Sequence, residues 1–263
     1  MNIVVCVKQV PDTWAEKRLS ADDKTVDREG VDAVMNELDE YAVEEALRIQ
    51  EATGGPDSTT VTVLTMGPEK ATETIRKALS MGADQAVHLV DPSLHGSCAV
   101  ATSYAMSKAL GTIEWDLVIC GSEATDARTS LLPAMLAEQL GVAQATFARK
   151  VEVDGQTLRI ERMTDTGYDK VEAQLPAVVS VVEKINEPRY PSFKGIMAAK
   201  KKPLTTLSAG DAGIEADKVG LANATSTVQE FQAAPPRQAG EVIKDEGDGG
   251  SKLAEFLASK KFI

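Results

Sequence analysis

Apolar residues in this chain fall into short continuous runs, separated by longer segments whose apolar positions recur every three or four residues. "NIVVCVKQV" (2–10) is apolar and β-branched, the pattern of a strand buried on both faces. "PDT" breaks it, and residues 14–35 are polar with weak periodicity, which predicts a long loop. "NELDEYAVEEALRIQEATGG" (36–55) predicts a helix capped by Asn36, with acids in its first turn and glycines at its end. Leu38, Ala42, Val43, Ala46, Leu47 and Ile49 form its apolar stripe. "TTVTVLTMG" (59–67), "AVHLV" (86–90) and "DLVICG" (116–121) predict three more strands. Helices are expected between and after them, over 68–83, 96–111 and 130–141, with Pro68 and Pro133 in first turns and Gly82 at a stop. The alternation predicts an α/β fold: a parallel sheet with helices on both faces.

The pattern changes after residue 141. "FARKVEVDGQTLRIERM" (147–163) alternates on both sides of Asp154-Gly155, a hairpin signal. "YDKVEAQL" (168–175) alternates again, and "PAVVSVV" (176–182) is apolar throughout. An antiparallel extension of the sheet around 147–175 is expected, followed by one buried strand. Regular structure is expected to thin out beyond 183, with one helical turn in "GDAGIEADKVG" and a short terminal helix after a Gly/Asp linker. The division that follows is 1–183 as an α/β domain, 184–205 as an extended arm, and 206–263 as a tail.

Composition narrows the chemistry. The chain has 263 residues and a net charge of −12, which argues against nucleic-acid binding. No apolar run approaches the roughly 20 residues that span a bilayer, so no direct membrane insertion is expected. The chain opens on a strand, which predicts no leader and a cytoplasmic location. Cys6 and Cys120 lie in strand-like runs and read as buried reduced thiols, and no Cys/His spacing suits a metal. His88, in an apolar run, and His95, in a loop, lack nucleophile or carboxylate partners in sequence and read as structural. No catalytic set is visible in the sequence.

In an open parallel sheet, ligands bind outside the carboxyl ends of the strands. Four segments should meet there: Val7 to Thr13, "MNELDE" (35–40), "TMGP" (65–68) and "CGSEATDARTS" (120–130). In the last, glycine ends a strand, and Thr129 and Ser130 can cap a helix whose free N–H groups suit a phosphate. Asp126 can accept hydrogen bonds from loop amides or a ribose. There is neither a Walker motif nor G-x-G-x-x-G, so on residues alone this loop reads as a helix cap or as a nucleotide site.

One segment fits none of this. "NEPRYPSFKGIMAAKKKP" (186–203) is a proline-stiffened basic stretch, with a lone phenylalanine, in an acidic chain. "INEPRYPSFKGIMAAKKK" resembles the signature region of the β subunit of electron transfer flavoproteins. "VKQVPDT", "AVEEALRI", "MGPE", "TIRKALSMGAD" and "DLVICGSEATD" match the same family in the same order, so the resemblance covers nearly all of 1–205. It implies a heterodimer in which an α subunit holds most of a redox-active FAD and the β subunit binds a structural AMP. It implies electrons taken from flavin dehydrogenases, such as acyl-CoA dehydrogenases, and passed towards the quinone pool through a membrane oxidoreductase. By position it places Cys6, Asn36, Asp39, Met66, Gly121, Asp126, Thr129 and Ser130 at AMP, and Thr13 and Leu38 near the flavin. Ala127-Arg128 and Leu131 to Pro133 depart from the family pattern. The resemblance makes 184–205 a docking arm, with Phe193 as anchor and Arg189, Tyr190, Lys200, Lys201 and Lys202 in contact with partners. It makes the 206–263 tail a wrap around the α subunit. Two alternatives remain: an electron-bifurcating relative with a second FAD and NADH as donor, and a stand-alone adenine-nucleotide-binding stress-type protein. The "NEPRY" block argues against the second.

Overall fold

Runs of Val, Ile and Leu pack best when both faces of a strand are covered, and they form the centre of the sheet here. The computed structural model describes residues 1–236, 240 and 242–263. Residues 1–228 form one unit, and 229–263 another. The first unit begins with β1 (Asn2–Cys6), β2 (Gln9–Pro11), β3 (Ala33–Met35), α1 (Glu37–Ala52), β4 (Thr60–Met66), α2 (Thr72–Met81) and β5 (Gln85–Leu89). It continues with α3 (Ala99–Leu110), β6 (Leu117–Gly121), α4 (Leu132–Leu140), β7 (Ala143–Asp154), β8 (Thr157–Thr164), β9 (Gly167–Gln174) and β10 (Ala177–Val181). It closes with α5 (Phe193–Ala199), β11 (Leu204–Leu207) and two short 3₁₀ turns, Ala216–Lys218 and Leu221–Asn223. The second unit holds α6 (Gly249–Ser259).

Among the described residues, nine strands form one sheet in the order β11-β5-β4-β1-β6-β10-β7-β8-β9. Every pairing from β11 to β7 is parallel, and β7-β8-β9 is antiparallel. This is the expected α/β fold with its antiparallel extension. One apolar layer joins Ile3, Val5, Val61 and Val63 to α1 and α2. The other joins Val4, Leu64 and Val118 to α3 and α4, so helices cover both faces. From β1 the chain moves outward to β4 and β5, then crosses back to place β6 on the other side of β1. The switch in direction therefore lies between the carboxyl ends of β1 and β6, where such sheets open a crevice.

Several elements differ from expectation. The first apolar run divides at Val7, and its second half, β2, pairs antiparallel with β3. The polar 14–35 segment is thus a loop pinned at its base by a two-stranded ribbon. β7 starts inside the sheet, with Ala145 and Ala148 buried beside β10, before it reaches the hairpin. The arm is not extended throughout: it holds α5, packed on α2, and ends in β11, which pairs with β5 at the sheet edge. Residues 184–228 share the compact unit of 1–183. The 3₁₀ turn at 216–218 and helix α6 fall within the predicted tail, of which 237–239 and 241 lie outside the described residues.

Candidate functional site

Cys6 ends β1, and Cys120 and Gly121 end β6 in register with it, so the crevice opens between these two strand ends. It is a cleft of about 500 Å³, with Met66 at the end of β4 on one side. The loop after β6 and the start of α4 form one wall, and residues 95–99 before α3 form another. Leu19, Lys24, Thr25, Val26 and Arg28, from the loop pinned by β2 and β3, line the cleft as well.

Asn36 is buried and does not cap α1 with its side chain. Its Nδ2 donates to the Glu123 carbonyl at 2.9 Å, and its Oδ1 accepts from the Thr125 amide at 3.1 Å. A primary amide matches one donor and one acceptor of the loop at once, which a helix cap would not do. Asn36 therefore shapes the cleft wall from behind. Asp39 is buried in the first turn of α1 and accepts from the Lys8 amide at 2.8 Å. Burial pushes its carboxyl up to about 7, against hydrogen bonds that favour the charged form. A Cβ on Gly121 would lie 2.5 Å from Asp39 Oδ1 and 2.8 Å from the Leu38 carbonyl carbon, so only glycine lets β6 end this close to α1.

Asp126 was expected to face loop amides or a ribose. Its carboxylate instead sits between two cations, Lys8 Nζ at 2.8 Å and Arg28 Nη2 at 2.6 Å, with no exposed side-chain surface. Burial alone would raise its pKa, but the two cations outweigh burial and hold it below the usual carboxylate range. The acid thus ties the 12–32 loop to the loop after β6. Thr129 and Ser130 do not cap α4. Leu131 stands at the cap position, and the Ser130 hydroxyl donates to Glu123 Oε2 at 3.1 Å from a left-handed backbone with φ of 53°. Both still line the cleft.

The cleft thus gathers Cys6, Asp39, Met66, Gly121, Asp126, Thr129 and Ser130, with Asn36 behind them. Sequence reasoning placed the 7–13 segment at the site without singling out Lys8, and it missed Lys24 and Arg28, because a polar loop without periodicity gives no sign of where it folds back. It also missed Cys98, which lines the cleft before α3. Burial works to raise the Cys98 thiol, yet bonds from the Ala101 amide and from Thr225 bring it down to about 6. Cys6 and Cys120 are buried free thiols, as expected, and Cys98 is a partly exposed one. His88 is buried with Nε2 3.1 Å from the Gly67 carbonyl oxygen, a structural position. His95 pairs with Asp23 at 2.7 Å.

A mononucleotide fits this donor set. Cationic side chains and the N-terminal turn of α4 suit a phosphate, the sulfur and aliphatic side chains suit a base, and the Gly121 approach keeps the crevice open. Thr13 is half-buried and its hydroxyl has no hydrogen-bond partner among the described residues. Its neighbour Trp14 is 93% exposed, an aromatic beside the expected flavin position that the sequence reading passed over.

The second surface is the arm. Tyr190 and Phe193 are 95% and 81% exposed, and Lys200 and Lys201 are exposed beside them. Arg189 and Lys202 point inward. Arg189 pairs with Glu44 and Glu51, and Lys202 Nζ donates to the carbonyls of Leu79, Gly82 and Ala83 at the end of α2. Both are half-buried and already paired within the chain, unlike Lys200 and Lys201.

The family model for the electron transfer flavoprotein domain matches residues 23–212, which include most of the cleft lining and the arm. The chain belongs to the electron transfer flavoprotein family. It is 56% identical over 265 residues to the electron transfer flavoprotein subunit beta of Mycobacterium tuberculosis, covering 100% of this chain and 99% of that one. It is 41% identical over 265 residues to the subunit of the same name from Thermoanaerobacterium thermosaccharolyticum, covering 100% of both. It is 34% identical over 261 residues to the caffeyl-CoA reductase-Etf complex subunit CarD of Acetobacterium woodii, covering 99% and 97%. Full-length similarity to beta subunits sets this flavoprotein chain on the beta side of the family, with a role in electron transfer. No helix among its described residues is long and apolar enough to cross a membrane.

Proposed function

We propose that this chain is the β subunit of a heterodimeric electron transfer flavoprotein that accepts electrons from flavin dehydrogenases and passes them towards the quinone pool through a membrane oxidoreductase. The observation that carries this reading is the pairing of a nucleotide-sized cleft at the β1/β6 switch point with an exposed aromatic arm in one family member. AMP occupies the cleft as a structural ligand. Lys8 and Arg28, held by Asp126, set the charge near its phosphate, and Cys6, Met66 and Leu132 offer apolar contact to its base. FAD, which supplies the one-electron chemistry when bound, is held mainly by the α subunit. Thr13, Trp14 and Leu38 of this chain approach it. Of the 206–263 tail, 206–228 pack within this chain's own unit, and 229–263 reach the α subunit. The exposed Leu253, Phe256, Phe262 and Ile263 give that tail apolar surface for a partner to cover.

Phe193 and Tyr190 dock the dehydrogenase, and Lys200 and Lys201 steer its approach. The chain is an electron carrier subunit working in the cytoplasm, without catalysis of its own. Similarity to a subunit of a caffeyl-CoA reductase-Etf complex favours a second reading, in which the heterodimer bifurcates electrons and a second FAD takes the place of AMP. Denaturing the purified heterodimer and quantifying the released nucleotides separates the two. One FAD and one AMP per heterodimer are expected. Two FAD and no AMP would replace the carrier reading with the bifurcating one.

A further inference from the structure

α5 has seven residues, well below the ~12–15 at which an isolated helix begins to persist in water. Something outside it must hold its shape, and the residues around it do so from both ends. Upstream, Asn186 Nδ2 donates to the Tyr41 carbonyl and to Glu45 Oε2, each at 3.0 Å. Arg189 grips two carboxylates: Nε and Nη2 donate to Glu44 at 2.7 and 3.1 Å, and Nη1 to Glu51 at 2.6 Å. Burial pushes Glu44 up, but bonds from Arg189 and Arg48 outweigh it and hold the carboxyl below its ordinary range. Downstream, Arg76 Nη1 donates to the carbonyls of Ala199 and Lys202 at 2.6 and 3.2 Å, closing the end of α5. Lys202 Nζ in turn donates to Leu79 and Gly82 carbonyls at 3.0 and 2.9 Å, closing the end of α2.

The inner face of α5 is equally constrained. A Cβ on Gly195 would collide with the Ser80 carbonyl oxygen, and Ala199 is buried. Positions 195 and 199 therefore fix which side faces α2. The opposite side carries Phe193, Ile196 and Met197 at spacings of three and four, all exposed, with Tyr190 just before them. The arm is therefore a clamped helix with an apolar outer stripe.

We propose that Arg189, Arg76 and Lys202 are positioning residues that fix α5 in one pose, so that Phe193, Ile196 and Met197 meet the apolar groove of a flavin dehydrogenase as a preformed helix face. This rests on the docking reading above. A preformed stripe loses less conformational freedom on association than a loop that must fold, so the clamps act on the affinity of the complex and not on electron transfer within it.

The test is a double-mutant cycle in the purified heterodimer, with Phe193→Ala, Arg189→Gln and the pair, read in a dehydrogenase-coupled assay and by amide exchange over 190–201. Phe193→Ala is expected to raise the apparent KM roughly thirtyfold, as loss of a hot-spot anchor would. Arg189→Gln should raise it about fivefold, with the effect on KM and not on kcat, and should speed exchange across 190–201. In the Phe193→Ala background, Arg189→Gln should add clearly less than its fivefold alone, about twofold, because the main anchor it positions is gone while Ile196 and Met197 remain. Arg189→Lys, which keeps one carboxylate contact, should recover part of the loss. Additive effects, unchanged exchange, or an Arg189→Gln variant with normal KM would overturn the positioning role while leaving docking intact. A normal KM for Phe193→Ala would instead remove the docking reading, and this proposal with it. Arg76→Gln carries the same cycle at the far end of the segment if the Arg189 variants do not assemble.

Discussion

Asp39 and Cys98 line one cleft and are driven in opposite directions by their surroundings. Asp39 has its carboxyl pushed from 3.8 to about 7, chiefly by burial. The folded chain therefore holds a proton that the unfolded chain has lost between pH 4 and 7. The contribution of Asp39 to stability therefore falls as pH rises through that window and levels off above about 7. Asp39→Asn cannot ionise, so the slope of melting temperature against pH between 5 and 7.5 should be shallower than in the parent. An identical slope would show that another group carries it. For Cys98, hydrogen bonds outweigh burial and leave a thiol near 6, whereas contact with Cys6 together with burial pushes Cys120 well up. At pH 7 iodoacetamide should modify Cys98 at least about tenfold faster than Cys6 or Cys120, read by peptide mass mapping. Modification of all three at one rate would contradict this assignment of the thiolate.

At the scale of elements, the site depends on how closely β6 and α1 approach each other. Gly121→Ala would drive a Cβ into the Leu38 backbone and Asp39, neither of which is the free end of a flexible chain. α1 must then move off the sheet, at a cost of about 2 kcal/mol typical of overpacking, and the melting temperature should fall by roughly 5 °C. Nucleotide content of the purified heterodimer should fall several-fold, since the same turn carries Asn36 and Asp39. Retention of full nucleotide content would mean that the ligand does not use this crevice. The 12–32 loop belongs to this scale as well. It is held by Asp126 through Arg28 and by His95 through Asp23, two links from separate walls. Asp126 lines the cleft while its carboxylate serves as an internal tie between two loops.

At the scale of the molecule, apolar surface remains exposed on the tail and on the arm. A chain expressed without its α subunit should aggregate, or stay soluble only at low concentration, and should carry little or no flavin, because no dinucleotide fingerprint is present. Size-exclusion chromatography with a flavin spectrum checks both. A yellow, monomeric, stable chain would show that this subunit holds FAD by itself. The sequence by itself determined the order of the elements and the class of the sheet, because a buried parallel strand needs a continuous apolar run and a surface helix needs a stripe. It also located the crevice, since β1 and β6 end in Cys6 and Cys120-Gly121, and it marked the arm through its prolines and Phe193. Only the tertiary structure decided which polar side chains face outward. Asn36, Asp126, Arg189 and Lys202 read alike in sequence, as caps, ligands or contact charges. Each has an internal partner far along the chain, Asn36 with Glu123 and Thr125, Asp126 with Lys8 and Arg28, Arg189 with Glu44 and Glu51, Lys202 with the end of α2. The reason is physical: periodicity records which positions avoid water, whereas the partner of a polar group depends on the packing that brings distant segments together.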